Sequence, residues 1–474
     1  MRKFLTAVFC VLFAPLFVQA AQDLQINWDG QNHDREIIDD SNDNKPLAIV
    51  GAGSVDMGAV NGASMTVNGK NININNDATA QKVYDSVTHD SFQTPVLSRE
   101  HYGAYVAGGA AYRNNVTNSS VSMTGTNLQG RNVIGGASLL LDSTDRFGDY
   151  SANNNSVTIS GGTLSFYNYT APGATAATYG GMVYGGYTNF AKGSANNNTV
   201  IIQDGAVVQG SVVGGYTEHR LTEDDIKATD GVIGTNASGN YVLVKDSTVA
   251  GMVTGASGAA TSNNNTVIID HSNVGMAFGA FIGTGITDGT SSVVDMNNNT
   301  VIIRNGSTVA AMAMAVMNSS VNAQGNTMTL DNATLASGSV YSVLMHLGHD
   351  TSGNPVGATV ANNTLNLHNL TNTFSEVGAT VNLAGTSNGN KVNITNSNLT
   401  VANASGKFFG DTLNFAKLST NQLLPTDIPA DKGLIFGGAS MTYNSQTNTT
   451  PSEEAPDKVE VSFNGTNSDG NTVS

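Results

Sequence analysis

Asn198-Thr199-Val200-Ile201-Ile202-Gln203-Asp204-Gly205 is the stretch whose reading decides the fold. It opens on an asparagine and a polar residue. Apolar, β-favouring residues follow at two-residue spacing, and a turn-forming Asp-Gly pair closes it. The same sentence returns as Asn155-Ser156-Val157-Thr158-Ile159, Asn240-Tyr241-Val242-Leu243-Val244, Asn265-Thr266-Val267-Ile268-Ile269 and Asn299-Thr300-Val301-Ile302-Ile303. Later copies occupy 326–330, 363–367 and 390–394. In the copy at 326–330, Met328 and Leu330 alternate with Thr327 and Thr329, the period of a half-buried strand. The second and fourth residues after each asparagine are therefore expected to point inward. Helical periodicity fits none of these segments.

A second apolar position follows five residues later, at Leu164, Val207, Val249, Val274, Leu335 and Leu399, after a turn rich in Asp, Asn, Ser or Gly. A third motif, an apolar residue, any residue, two glycines and then Ala or Tyr, recurs at 106–110, 133–137, 183–187, 212–216 and 435–439. Its glycines permit close approach of a neighbouring backbone. One such unit cannot bury its own apolar face, but stacking on the next unit does so. The expected fold is all-β, an elongated parallel β-helix with irregular coil loops. Each coil rises about 4.8 Å and the asparagines stack into amide ladders. Spacings between the asparagines run from 25 to 43 residues, so the longest gaps have room for an extra coil.

The first twenty residues read as a secretory signal. Arg2 and Lys3 precede an apolar stretch from Phe4 to Phe17, and Val18-Gln19-Ala20 supplies the small residue for cleavage between Ala20 and Ala21. That stretch, about fourteen residues, is short for a bilayer span. The only cysteine is Cys10, so the processed chain carries no thiol and no disulfide. Net charge is −16, and losing Arg2 and Lys3 makes it two more negative, which disfavours nucleic acid as a partner.

The expected organisation is a signal at 1–20 and an N-terminal polar lead or cap at 21–47, with Trp28 over the first coil. The β-helix runs over 48–415 with a loop near 77–100. The segment 416–474 is acidic and Pro-containing, either the last coils or a linker, with strands resuming at 434–436 and 459–463.

A signal peptide, a cysteine-free mature chain, acidity and Asn/Gly/Thr-rich strand repeats together resemble the passenger domains of Gram-negative autotransporters over about residues 1–415. The resemblance implies a β-helical passenger carried across the outer membrane and shown on the cell surface, often as an adhesin. Its partners would be a receptor or glycan on a host or neighbouring cell. The family also ends in a translocating barrel of roughly ten-residue strands with aromatic girdles. Nothing after Phe415 has that pattern, so the translocator is expected elsewhere in cis or in trans.

Catalytic, cofactor and metal chemistry are not expected. A β-helical enzyme acting on polysaccharides needs paired carboxylates or a metal beside a basic residue, whereas the strand positions carry Val, Thr, Asn and Ala. Arg304 follows its strand alone and reads as a solvated charge. Gly-Ala-Ser at Gly136 and Gly438 lies inside the repeat and is no nucleophile elbow. His346, His349 and Asp350 lack a third ligand and a helix. Asp40-Ser41-Asn42-Asp43-Asn44 fails as a calcium loop because Lys45 and Gly51 hold its glycine and glutamate positions. Tyr102, Tyr105, Tyr184, Tyr187 and Tyr216 gather around the glycine motifs. They form either a cover over exposed backbone or an aromatic strip for a ligand. A polysaccharide-degrading β-helix and an amyloid-like matrix protein are the alternatives to adhesion.

Overall fold

The computed structural model describes residues 22–23, 33–34, 48–54, 58–73, 105–129, 132–139, 148–169, 177–190, 192–217, 235–258, 261–281, 294–319, 321–346, 358–382, 385–402, 434–444, 458–462 and 472–473. Every regular element among them is a strand. The chain is a parallel β-helix. Each coil contributes a strand to three faces, and each strand pairs in parallel with its counterpart one coil away.

The first face is built by the asparagine-led segments. Thr199–Gln203 pairs with Tyr241–Lys245, which pairs with Thr266–Asp270, then Thr300–Arg304, Thr327–Asp331, Thr364–His368 and Lys391–Thr395. In these strands the second and fourth residues after each asparagine point inward. Val200, Val242, Val267 and Val301 stack on one another with no exposure, and so do Ile202, Val244, Ile269 and Ile303. Like residues therefore meet like residues in one continuous core along the axis. Such stacking removes β-branched side chains from water while keeping them in strand-compatible rotamers.

The second face is short. Its inward residues include Leu164, Val208, Val249, Val274, Val309 and Leu335. Val208 takes the place expected of Val207, which is instead an exposed large apolar residue. The cause is one extra residue at the preceding corner. Asp204 and Gly205 both adopt positive φ, whereas the next coil turns on Asp246 alone and enters its strand one residue sooner. Asn305-Gly306 repeats the insertion. A one-residue slip inverts which side chains face the core.

The third face carries the glycine motif. Tyr105–Tyr112, Asn132–Leu139, Met182–Thr188 and Val212–Thr217 pair in turn, and Thr248–Ser257 continues the series. These glycines face the asparagines across the coil. A Cβ on Gly185 would sit 2.8 Å from Asn198 Cβ, and one on Gly214 would sit 2.8 Å from Asn240 Cβ. The two motifs are thus halves of one packing unit, with the side chain missing from one strand making room for the amide of the other.

That amide column is a polar feature of the interior. Asn155, Asn198, Asn240, Asn265, Asn299, Asn326, Asn363 and Asn390 are buried. From Asn155 to Asn363 each backbone N–H donates to Oδ1 of the asparagine one coil on, at 2.9 Å from Asn155 to Asn198 and 2.8 Å from Asn299 to Asn326. The side-chain Nδ2 donates to the same oxygen, at 3.0 Å from Asn240 to Asn265. The residue before each asparagine has positive φ and is Asn or Gly, for example Asn154, Asn197, Gly239 and Asn264. That conformation turns the chain into the strand. Toward the N-terminus the column thins: Ser119 donates its N–H to Asn155 Oδ1, and Ala63 occupies the equivalent place one coil earlier.

Consecutive asparagines sit on adjacent coils even where they are 43 residues apart. No extra coil fills the long gap from Asn155. Ser156–Tyr169 instead runs past the corner and pairs antiparallel with Ala177–Gly180, so a hairpin absorbs the length. At the ends, Gln22–Asp23 and His33–Asp34 pair with the first coils, and Lys458–Ser462 pairs antiparallel with Leu434–Asn444. The expected strands at 434–436 and 459–463 are present with these bounds. Trp28, the loop near 77–100, and Ala20 and Ala21 lie outside the described residues.

Candidate interaction surface

The outward positions of the first face form three rows parallel to the axis. The first residue after each asparagine gives a row of Thr199, Tyr241, Thr266, Thr300, Thr327 and Thr364. The third gives Ile201, Leu243, Ile268 and Ile302, aliphatic side chains half-exposed on the solvent side of four successive coils. The fifth gives Lys245, Asp270, Arg304, Asp331 and His368, whose charges alternate in sign up to Asp331, with Asp270 itself buried.

Alternation allows each charge to face an opposite one a strand spacing away. Arg304 Nε and Nη2 donate to Asp270 Oδ2 at 2.9 and 2.8 Å, and Asn305 Nδ2 donates to Asp270 Oδ1 at 2.7 Å. Burial pushes the Asp270 carboxyl upward. The Asn305 amide, the Arg304 guanidinium and the nearby Lys245 outweigh it and hold the group below its ordinary value. Arg304 is therefore a partner in an ion pair rather than the lone solvated charge expected from the sequence.

The corner beside this row holds an open recess of about 320 Å³, bounded by the inserted Gly205 and Gly306. The coils between them lack the extra residue, so Asp246 and His271 lie at its floor with Thr248 and Asn273. His271 Nδ1 and Asp246 Oδ1 are 2.7 Å apart, and both side chains are largely exposed.

No protein-family model matches the chain, and no curated protein and no solved structure matches it. The chemistry must be read from its own surfaces.

Tyr184, Tyr187 and Tyr216 do come together on the outer side of the third face. Tyr187 and Tyr216 stack with centroids 5.2 Å apart at 12°, and Tyr184 meets Tyr187 edge-on at 5.4 Å. Tyr184 and Tyr187 are buried with Tyr105 in one apolar cluster. Burial pushes the Tyr105 hydroxyl pKa strongly upward. Of the two roles open to these tyrosines, the packing matches a cover over the glycine strands. Tyr102 lies outside the described residues, as do His349, Asp350 and the segment 40–44. His346 closes the strand Ser339–His346. Gly136 and Gly438 lie within third-face strands, Gly136 against the Asn155 amide. Among the described residues no group of three His, Cys, Asp or Glu is placed to hold a metal.

The aliphatic and charged rows were not among the sequence expectations. Aligning the repeats on their asparagines would have revealed them, since that puts Lys245, Asp270, Arg304 and Asp331 in one column.

Proposed function

We propose that this protein is a secreted, surface-displayed β-solenoid that acts in adhesion or surface display without catalysis. The observation that carries this reading is the first face: rows of threonine, aliphatic and alternately charged side chains, repeated coil after coil on a rigid sheet. Such a face offers many modest contacts over a long span, the arrangement suited to avidity. An active site needs a few groups converging on one point. The signal at 1–20 supports export, and the absence of cysteine from the rest of the chain suits passage across a membrane unfolded. In this reading the chain is an autotransporter-like passenger whose partners are a cell-surface receptor or glycan and an outer-membrane translocator.

Expression of the full chain in a Gram-negative host tests it. The expected product begins at Ala21, is reached by protease added to intact cells, and raises attachment of those cells to epithelial layers or to one another. Retention of Met1 in the cytoplasm would refute the export half. Depolymerisation of polysaccharides by the purified chain would refute the non-catalytic half.

A further inference from the structure

We propose that the recess at the corner between the first and second faces binds one neutral sugar residue through its hydroxyl groups. The inference rests on the adhesive reading above and names the chemistry of its glycan partner. The recess is made by chain length. The corners at Asp204-Gly205 and Asn305-Gly306 each carry an extra residue, whereas the two coils between them turn on Asp246 and His271 alone. A notch two coils wide results, with Gly205 at one end and Gly306 at the other. Its volume of about 320 Å³ lies at the small end of the range for small-molecule sites, about 300–1,000 Å³.

Four polar side chains line the floor as a two-by-two grid. Asp246 lies beside His271 at the corner, and Thr248 pairs with Asn273 at the start of the second face. Ser247 and Ser272 are buried beneath, and their hydroxyls donate to the carbonyls of Lys245 and Asp270, both at 2.8 Å. A carboxylate only accepts, so His271 Nδ1–H donates to Asp246 Oδ1 at 2.7 Å, and the neutral ring keeps a lone pair on Nε2. Among the described residues, His271 Nε2, Asp246 Oδ2, the Thr248 hydroxyl and the Asn273 amide have no partner. Nε2 and Oδ2 thus present two acceptors from adjacent coils. Neighbouring hydroxyls of a pyranose supply two donors, and the Asn273 amide donates back to their oxygens. Among the described residues the lining has no aromatic ring for stacking and no Lys or Arg, while Asp246 gives it negative charge. An anionic sugar acid is therefore disfavoured. A metal would need a third ligand, and no group of three is placed to hold one among the described residues.

The test titrates the purified full chain with glucose, galactose, mannose and N-acetylglucosamine in turn. The His271 ring proton is followed by NMR and identified by its loss in His271→Gln. At least one of these sugars should shift it saturably, in EDTA as well as without, and glucuronic acid should leave it in place. Asp246 and Asn273 are exposed, so Asp246→Ala and Asn273→Ala should keep the wild-type circular dichroism spectrum. Each should weaken the binding about tenfold, the loss of one hydrogen bond to a charged or amide group. No shift with any of the four sugars overturns the proposal. So does binding that survives both variants unchanged, binding that EDTA abolishes, or equal binding of glucuronic acid. Attachment of cells displaying the wild-type chain keeps the two readings apart. Sugar binding without attachment leaves the site standing and refutes adhesion, whereas attachment without sugar binding leaves adhesion standing and refutes the site.

Discussion

At the residue scale, the buried asparagine carries more of the structure than any apolar side chain beside it. Its Oδ1 accepts from the N–H and the Nδ2 of the preceding asparagine, and its own Nδ2 reaches a backbone carbonyl, as from Asn299 to Ser262. Asn299→Leu keeps the branched outline of the side chain but leaves the Asn265 amides without that acceptor. Leaving a buried donor unpaired costs about 1–3 kcal/mol. The expected result is a loss of about 2–4 kcal/mol for the two donors, measured by urea unfolding. The Asn265 backbone amide should also show the largest gain in hydrogen-exchange rate. The Asp270–Arg304 pair makes a prediction of different sign. The folded carboxyl is held below its ordinary value, so its stabilisation is complete above the unfolded carboxyl pKa, near 3.9, and fades as pH falls through the lowered folded value. The stability gap between wild type and Arg304→Gln should be constant from about pH 5 to pH 8 and close below about pH 4. A gap unchanged in acid would show that Arg304 acts through packing alone.

At the element scale, the corner between the first and second faces tolerates two lengths. Asp204-Gly205 and Asn305-Gly306 use the longer form, and Asp246 and His271 use the shorter. Deleting Gly205 should convert its corner to the shorter form. Val207 and Val208 already pair with Thr248 and Val249 of the next coil and would keep that register. The expected cost is under about 1 kcal/mol, because glycine loses the most chain entropy on folding, and thermal unfolding checks it. The same deletion removes one wall of the recess at Asp246 and His271. This corner also shows where sequence reading stopped. The two-residue alternation is a local property, so the inward residues of the asparagine-led strands were legible from the sequence. The choice between Val207 and Val208 depends on whether the corner takes one residue more or one fewer, and both turns draw on the same residue types. The gap after Asn155 was illegible for a related reason. Length alone does not distinguish another coil from the hairpin of Ser156–Tyr169 and Ala177–Gly180. The outward rows stayed hidden because uneven gaps keep Lys245, Asp270, Arg304 and Asp331 out of alignment until the coils are superposed.

At the scale of the whole molecule, contacts run almost wholly between neighbouring coils, so stability is a sum of local terms rather than a property of one core. Hydrogen exchange should grade along the axis, slowest at Val242, Val267 and Val301 with several coils on both sides, and faster toward Val60 and Val392. Uniform protection throughout would instead mean a single cooperative unit. The interior asparagine column has one more consequence. The backbone N–H groups of the column all point the same way: each looks toward Oδ1 of the C-terminal neighbour, and each Oδ1 looks toward the N-terminal one. The two extremities of such a column are chemically opposite, like the poles of a bar magnet. Joining two solenoids tip to tip continues the column only when the tail of one meets the head of the next. Tail against tail would confront N–H with N–H, and so the polypeptide fixes in its interior the sense in which any filament of it would have to grow.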